Sequence, residues 1–328
     1  MSDLNALEIT DLIQKANAGD AKAQCALGTR YSTGNGIAKD EVAAVAQYRL
    51  AAAQGYAPAQ CSLGFMLGNG RGIEQDDKAA VAQYRLAAAQ GHAPAQYNLG
   101  FMLANGRGIE QDDEAAVVQY RLAAAQGYTP AQHNLGFMLG NGRGIEQNDE
   151  AAVAQYRLAA AQGDATAQYN LGLRLASGRG VKQNDEAAVA QYRLAAAQGY
   201  APAQYNLGLR LASGRGVKQN DEAAVEQYRL AAAQEYAPAQ YNLGFMLANG
   251  RGVKQNDEAA VEQYRLAAAQ EYAPAQYNLG FMLANGRGIE QNDEAAVAQY
   301  RLAAARGTCD GSIWPRIKVC FWSWGGSR

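Results

Sequence analysis

The chain is poor in the residues from which most active sites are built. It has 2 histidines and 4 cysteines in 328 residues. No Ser/His/Asp grouping and no Cys-x-x-Cys pair occurs, which leaves little material for nucleophilic catalysis or a metal site. Phenylalanine numbers only 6, and all 3 tryptophans fall within residues 307–328. Alanine and 36 glycines favour closely packed helices over a bulky globular core. Neither sign of charge prevails: 29 Lys and Arg stand against 31 Asp and Glu, so no net basic field exists to draw in nucleic acid or an anionic membrane. No stretch approaches ~20 apolar residues. The opening MSDLNALEITDLIQKANAGD lacks the basic start and apolar run of a signal peptide, so the cytoplasm is the default expectation, with unconventional secretion left open.

Self-similarity fills the space that these absences leave. The word A-x-A-Q begins at Ala21, Ala57, Ala93, Ala165, Ala201, Ala237 and Ala273, with a T-P-A-Q variant at Thr129, at a constant step of 36 residues. One unit, residues 93–128, reads APAQYNLGFMLANGRGIEQDDEAAVVQYRLAAAQGY.

Two helices are encoded in it. Ala95, Leu99 and Leu103 fall on one helical face entered through Pro94, giving a helix A of about 12 residues that NGRG at 105–108 stops. Asp112, Asp113 and Glu114 place acceptors and negative charge where a second helix has free N–H groups. Ala116, Tyr120, Ala123, Ala124 and Gly127 then mark the face of a helix B of about 15 residues. Gly100 sits inside helix A, where glycine costs ~1 kcal/mol relative to alanine. Its recurrence at Gly28, Gly64, Gly136, Gly172, Gly208, Gly244 and Gly280 predicts that helix B crosses there too closely for a Cβ. Neither helix can bury its stripe alone, so the pairs must stack into an open solenoid.

The pattern [AT]-x-A-Q-x-x-L-G-x-x-L-x-x-G-x-G-[IV]-x-x-[DN]-x-x-x-A-x-x-x-Y-x-x-A-A-x-x-G resembles the Sel1-like repeat, a relative of the tetratricopeptide repeat. The resemblance spans residues 21 to about 307 in eight copies. Leu103 stands where an aromatic is usual, and Gln119 where tryptophan is usual. The expected fold is all-α, an α/α right-handed superhelical solenoid of eight 36-residue helix-turn-helix repeats. Residues 1–20 are expected to form a capping helix, Leu4 to Ala18, that covers the first face of the stack, and residues 21–306 a single solenoid.

The resemblance implies a non-enzymatic scaffold that grips protein or peptide partners on its concave face, as the related tetratricopeptide fold does. At 100° per residue, Tyr97 and Phe101 point roughly 160 to 200° away from Leu99. Carried through the array, this second stripe is Cys25 and Thr29, Cys61 and Phe65, Tyr97 and Phe101, His133 and Phe137, Tyr169 and Leu173, Tyr205 and Leu209, Tyr241 and Phe245, Tyr277 and Phe281. Tyrosine offers large contact area, a hydroxyl and little rotamer entropy, which suits a partner; packing between neighbouring A helices is the competing reading. Asn98 and its equivalents flank the stripe and fit either role. Arg174 and Arg210 replace Met102, and Lys182, Lys218 and Lys254 replace Glu110, a local basic step suited to an acidic segment of a partner.

Other features read as structure. GNGRG at 68–72 lacks the preceding strand of a dinucleotide fingerprint and the Gly-Lys-Ser/Thr of a phosphate loop. The Asp112–Glu114 group recurs at each helix start as a cap. The arginines Arg71, Arg107, Arg143, Arg179, Arg215, Arg251 and Arg287 form a salt-bridged edge, and His92 is a surface variant of the tyrosine between repeats. Cys25 and Cys61 are one period apart; stacked helices lie roughly 8–10 Å apart, beyond disulfide reach. Some β-lactam hydrolases resemble this family through cysteine pairs in each repeat, and this chain lacks such pairs. No cofactor is expected.

Residues 307–328, GTCDGSIWPRIKVCFWSWGGSR, break the pattern where a ninth unit is due at 309. Back-translated and read one base later, residues 309–325 can spell ATAQYGLGLRFASGRGV, which agrees with residues 165–181 at 15 of 17 positions. The segment therefore reads as a repeat translated out of frame, through a frameshift or a sequence error, with an aromatic, basic anchor for a membrane interface as the competing reading; a truncated array is then a third functional alternative, and self-association through the uncapped Tyr300 and Ala304 face an expectation.

Overall fold

The computed structural model describes residues 8–306, and every regular element among them is an α-helix. The tail from 307, and the part of the expected capping helix before residue 8, lie outside the described residues. The chain divides into two compact units, one ending at Asp164 and the other starting at Ala165.

The first unit opens with α1 (Ile9–Asn17) and continues in pairs: α2 (Ala21–Thr33) with α3 (Glu41–Ala53), α4 (Ala57–Asn69) with α5 (Asp77–Ala89), α6 (Ala93–Asn105) with α7 (Asp113–Ala125), and α8 (Thr129–Asn141) with α9 (Asp149–Ala161). The second holds α10 (Ala165–Ser177) with α11 (Asp185–Ala197), α12 (Ala201–Ser213) with α13 (Asp221–Ala232), α14 (Ala237–Asn249) with α15 (Asp257–Ala269), and α16 (Ala273–Asn285) with α17 (Asp293–Arg306). In each pair the first helix is A and the second is B.

Local chemistry sets the boundaries. His92 precedes α6 without a side-chain cap, so Pro94, with its fixed φ and missing N–H, provides the start. Gly106 ends the helix at φ 64°. Asp112 Oδ1 then accepts the Ala115 N–H at 2.9 Å and caps α7. Helix B is shorter than its apolar pattern suggests, because Gln126 already leaves the helix and Gly127 turns at φ 80°. In the repeats that begin at 201 and 237 that turn falls on Glu235 and Glu271, at φ 60° and 65°.

Packing follows from the buried face. Ala95, Leu99, Met102 and Leu103 of α6 and Ala116, Val117, Tyr120, Ala123 and Ala124 of α7 are buried, and the two helices approach most closely where Gly100 meets Tyr120. Burial of one such leucine or methionine stabilises by roughly 2 kcal/mol. At the N-terminal end Leu12 and Ala16 of α1 cluster with Ala23 and Leu27 of α2, surrounded by Ile9, Ile13, Ala26 and Tyr31.

Polar side chains join one repeat to the next inside each unit. The glutamine of the A-x-A-Q word is buried, and Gln96 Nε2 donates to the Ala88 carbonyl of the preceding repeat at 3.3 Å. Its Oε1 accepts from Gln126 Nε2 at 2.8 Å, so the amide uses both ends. The second unit repeats this with Gln204, Ala196 and Gln234. At the A to B turn the arginine reaches back one repeat: Arg107 Nε lies 2.9 Å from Asp77 Oδ2 in α5, and its Nη2 donates to the Gly68 carbonyl. Arg143 clamps Asp113 and the Ala104 carbonyl, and Arg251 clamps Asp221 and the Ala212 carbonyl, in the same way.

Candidate partner-binding surface

The stripe read from helix A separates into two layers. Tyr97 is half-buried, with its ring centroid 5.8 Å from Tyr120 of its own helix B and 5.5 Å from Tyr128 before the next helix A. The Asn134 side chain hydrogen-bonds to both Tyr97 and Tyr120, and burial pushes the Tyr120 hydroxyl up to about 12. Tyr169, Tyr205 and Tyr241 repeat the contact with Tyr200, Tyr236 and Tyr272 at 5.4, 5.5 and 5.7 Å. Tyr277 packs on Tyr300 at 5.4 Å, and His133 on Tyr156 at 6.0 Å with its Nδ1 3.2 Å from Asn134 Oδ1. These rings are tilted or edge-on, a geometry that aromatic quadrupoles favour. The tyrosine layer is thus largely inter-helix packing, and the asparagines beside it bond between repeats.

The outer layer is exposed. Phe101, Phe137, Phe245 and Phe281, each one turn along from a stripe tyrosine or histidine, present 41–47% of their surface to solvent. Phe65 joins them in the first unit, with the Arg71 guanidinium 5.8 Å from its ring centre. Leu173 and Leu209 hold the same place in the second unit. Phe101, Phe137, Phe245 and Phe281 each follow a packed ring by four residues, whereas Phe65 follows the buried Cys61.

Arg210 is placed differently from the basic step expected of it. Its side chain is 13% exposed and its Nη1 lies 2.8 Å from Asp185 Oδ1, while Arg215 Nε holds the other oxygen of the same carboxylate at 2.9 Å. Two guanidinium groups thus share one carboxylate, and the Arg210 side chain is turned into the fold rather than out to solvent. Arg174, one repeat earlier, is half-buried. Of the residues of that basic step, Lys182, Lys218 and Lys254 are exposed.

Groups with catalytic potential are quiet. Cys25 and Cys61 are buried free thiols, both pushed up to about 11 by desolvation, which removes thiolate at neutral pH. His92 is half-buried rather than on the surface, and burial holds its imidazole below its ordinary value. Among the described residues, no group of three His, Cys, Asp or Glu could hold a metal ion, and no helix is long and apolar enough to cross a membrane.

A second exposed row escaped the sequence reading. Leu50, Leu86, Leu122, Leu158, Leu194, Leu230, Leu266 and Leu302 on helix B are 47–52% exposed. Its signal was the leucine two places after each buried tyrosine in QYRLAAA, which alternate helix faces turn outward. Leu158 borders a shallow groove with Arg121, Gln155 and Leu135.

The Sel1 repeat profile matches residues 21–56, 57–92, 93–128, 129–164, 165–200, 201–236, 237–272 and 273–308. The chain belongs to the Sel1 repeat family. As a Sel1 repeat protein it is an all-α solenoid of helix pairs, a fold commonly used for protein interaction. It is 34% identical to a protective antigen present in uropathogenic Escherichia coli strains that displays an SLR fold; the alignment covers 97% of this chain and 68% of that one, with a TM-score of 0.86. It is 31% identical to a Sel1 repeat protein from Oxalobacter formigenes, covering 95% of this chain and 90% of that one, with a TM-score of 0.68. No curated protein matches the Sel1 repeat chain.

Proposed function

We propose that this Sel1 repeat chain is a non-enzymatic scaffold that holds protein or peptide partners on the helix A face. The carrying observation is the exposed phenylalanine row, Phe65, Phe101 and Phe137 in one unit and Phe245 and Phe281 in the other, at the same place in five of the eight repeats. Scattered exposed apolar residues need no explanation, whereas a periodic row makes a continuous apolar surface of the kind partners cover. Aromatic anchors dominate binding energy in protein interfaces and leucine is under-represented there, which favours this row over the leucines of helix B. Packed rings one turn before Phe101, Phe137, Phe245 and Phe281 hold that helix face in place, which lowers the ordering entropy lost on binding.

The test uses the full chain as bait, with Phe101, Phe137, Phe245 and Phe281 changed to alanine and the thermal transition checked. Loss of partner retention by roughly tenfold or more supports the reading, in line with the cost of removing hot-spot side chains. Undiminished retention by a folded variant opposes it, and so does equal loss on changing Leu122 and Leu158.

A further inference from the structure

All eight B helices turn the same places outward, and the charge at those places differs from repeat to repeat. An exposed arginine stands in each, from Arg49 and Arg85 to Arg301. Seven residues before it, six repeats expose a glutamate, from Glu114 to Glu294. Two of these add Glu226 and Glu262, which pair with Arg229 and Arg265 at 2.7 and 2.8 Å. In the first two repeats the glutamate's place holds Val42 and Lys78 instead. Helices α3 and α5 therefore expose Arg49, Lys78 and Arg85 with no glutamate on the same face, and these cations have no ion pair among the described residues. The carboxylates at the two helix starts are engaged within the fold: Asp40 and Asp76 cap the helices, Glu41 pairs with Arg71, and Asp77 pairs with Arg107. Local stability does not call for Lys78, because the first turn of a helix favours an anion over a cation. Beside the cations, Val42, Leu50 and Leu86 are 67, 51 and 52% exposed. Arg71 reaches Glu41 from the turn before α5, and Gly72 packs against the Glu41 backbone, so the starts of α3 and α5 lie side by side.

We propose that this face of α3 and α5 docks an acidic amphipathic helix of a partner protein, as a second surface beside the phenylalanine row of helix A. Arg49 and Arg85 repeat at one place and Leu50 and Leu86 at the next, so the occupant must carry acidic and apolar side chains in parallel stripes. A helix does so, whereas an extended strand sends alternate side chains to opposite sides. Packed helices lie about 8–10 Å apart and a helix rises about 1.5 Å per residue, so a helix laid across the two repeats meets equivalent residues about every heptad. The unpaired cations set the sign of the occupant and speed its encounter. An anionic bilayer is a poorer match, because Tyr48 and Tyr84 are buried and the face offers no aromatic ring to seat among headgroups.

Fluorescence anisotropy of the full chain with a labelled synthetic helix tests this at about 0.1 M salt. The probe spans about three heptads, with leucine on one face and glutamate beside it. The wild type binds it, and R49A/K78E/R85A weakens binding roughly tenfold or more. At position 78 this variant carries the glutamate of six other repeats, and thermal melting checks its fold. L50A/L86A also weakens binding, whereas R229A, at the same place on α13, leaves it unchanged. Four outcomes overturn the proposal: no binding by the wild type, undiminished binding by folded R49A/K78E/R85A, equal binding of a probe with lysine in place of glutamate, or capture of the chain by phosphatidylserine vesicles in preference to the probe.

Discussion

Gly100 and Tyr120 stand so close that a Cβ on the glycine would lie 2.9 Å from the Cε1 of the tyrosine ring and 3.3 Å from the Ala116 carbonyl. The same approach recurs from Gly28 with Tyr48 to Gly280 with Tyr300. Helix A and helix B interlock at this one point in each repeat. Gly100→Leu is therefore expected to destabilise the chain by ~3 kcal/mol, because the Tyr120 ring is buried and packed on Tyr97, with little room to yield. Denaturant unfolding measures the loss, and an unchanged midpoint refutes the close-packing account.

Glu235 and Glu271 hold a left-handed backbone that glycine supplies in the other repeats. A side chain in that region carries a steric cost of about 1 kcal/mol. Glu235→Gly should raise the melting temperature by removing that cost. A fall on this substitution would mean that the glutamate makes compensating contacts.

The arginine clamps make the stacks sensitive to acid. Hydrogen bonds from Arg107, Arg143, Arg251 and Arg287 lower Asp77, Asp113, Asp221 and Asp257 below the ordinary carboxylate value of 3.8. A depressed folded value means that the unfolded chain takes up the proton first. The contribution is then complete above about pH 4 and lost as pH falls through the folded values. Melting temperatures across pH 6 to about 2.5 should drop in this window. Asp77→Asn with Asp113→Asn should flatten the drop; an equally steep profile in that variant contradicts the assignment.

His92 titrates higher on the pH scale. Burial lowers its imidazole from 6.5 and its Nδ1 is buried without a partner, so the neutral form is the folded one. Stability is present above the unfolded value near 6.5 and lost as pH falls below it. His92→Tyr, the residue at this place in most repeats, should therefore stabilise more at pH 5 than at pH 8. An equal effect at both would show that protonation of His92 does not bear on folding.

Much of this fold is legible in the sequence because its signals are local. Pro94, Gly106 and Asp112 act on their own helix ends, and Gly100 is meaningful through its 36-residue recurrence. What stayed hidden depends on partners distant in the chain. Arg107 was readable as half of a salt bridge, but only the fold shows that it reaches back to Asp77 rather than forward to Asp113. Gln96 gave the repeat its defining letter without disclosing that it is buried between Ala88 and Gln126. Helical spacing aligned Tyr97 with Phe101, yet the Tyr128 ring that covers one and not the other comes from the junction with the next repeat. Arg210 looked like surface charge until Asp185 appeared beside it.

The partner-binding claim is tested most directly by a photo-crosslinking residue placed in the full chain at position 101 on helix A or at position 122 on helix B. The two sites are similarly exposed, at 41% and 47%, so accessibility alone does not separate them. The account predicts a partner adduct from position 101 and none from position 122. An adduct from 122 without one from 101 would place binding on the leucine row and contradict it.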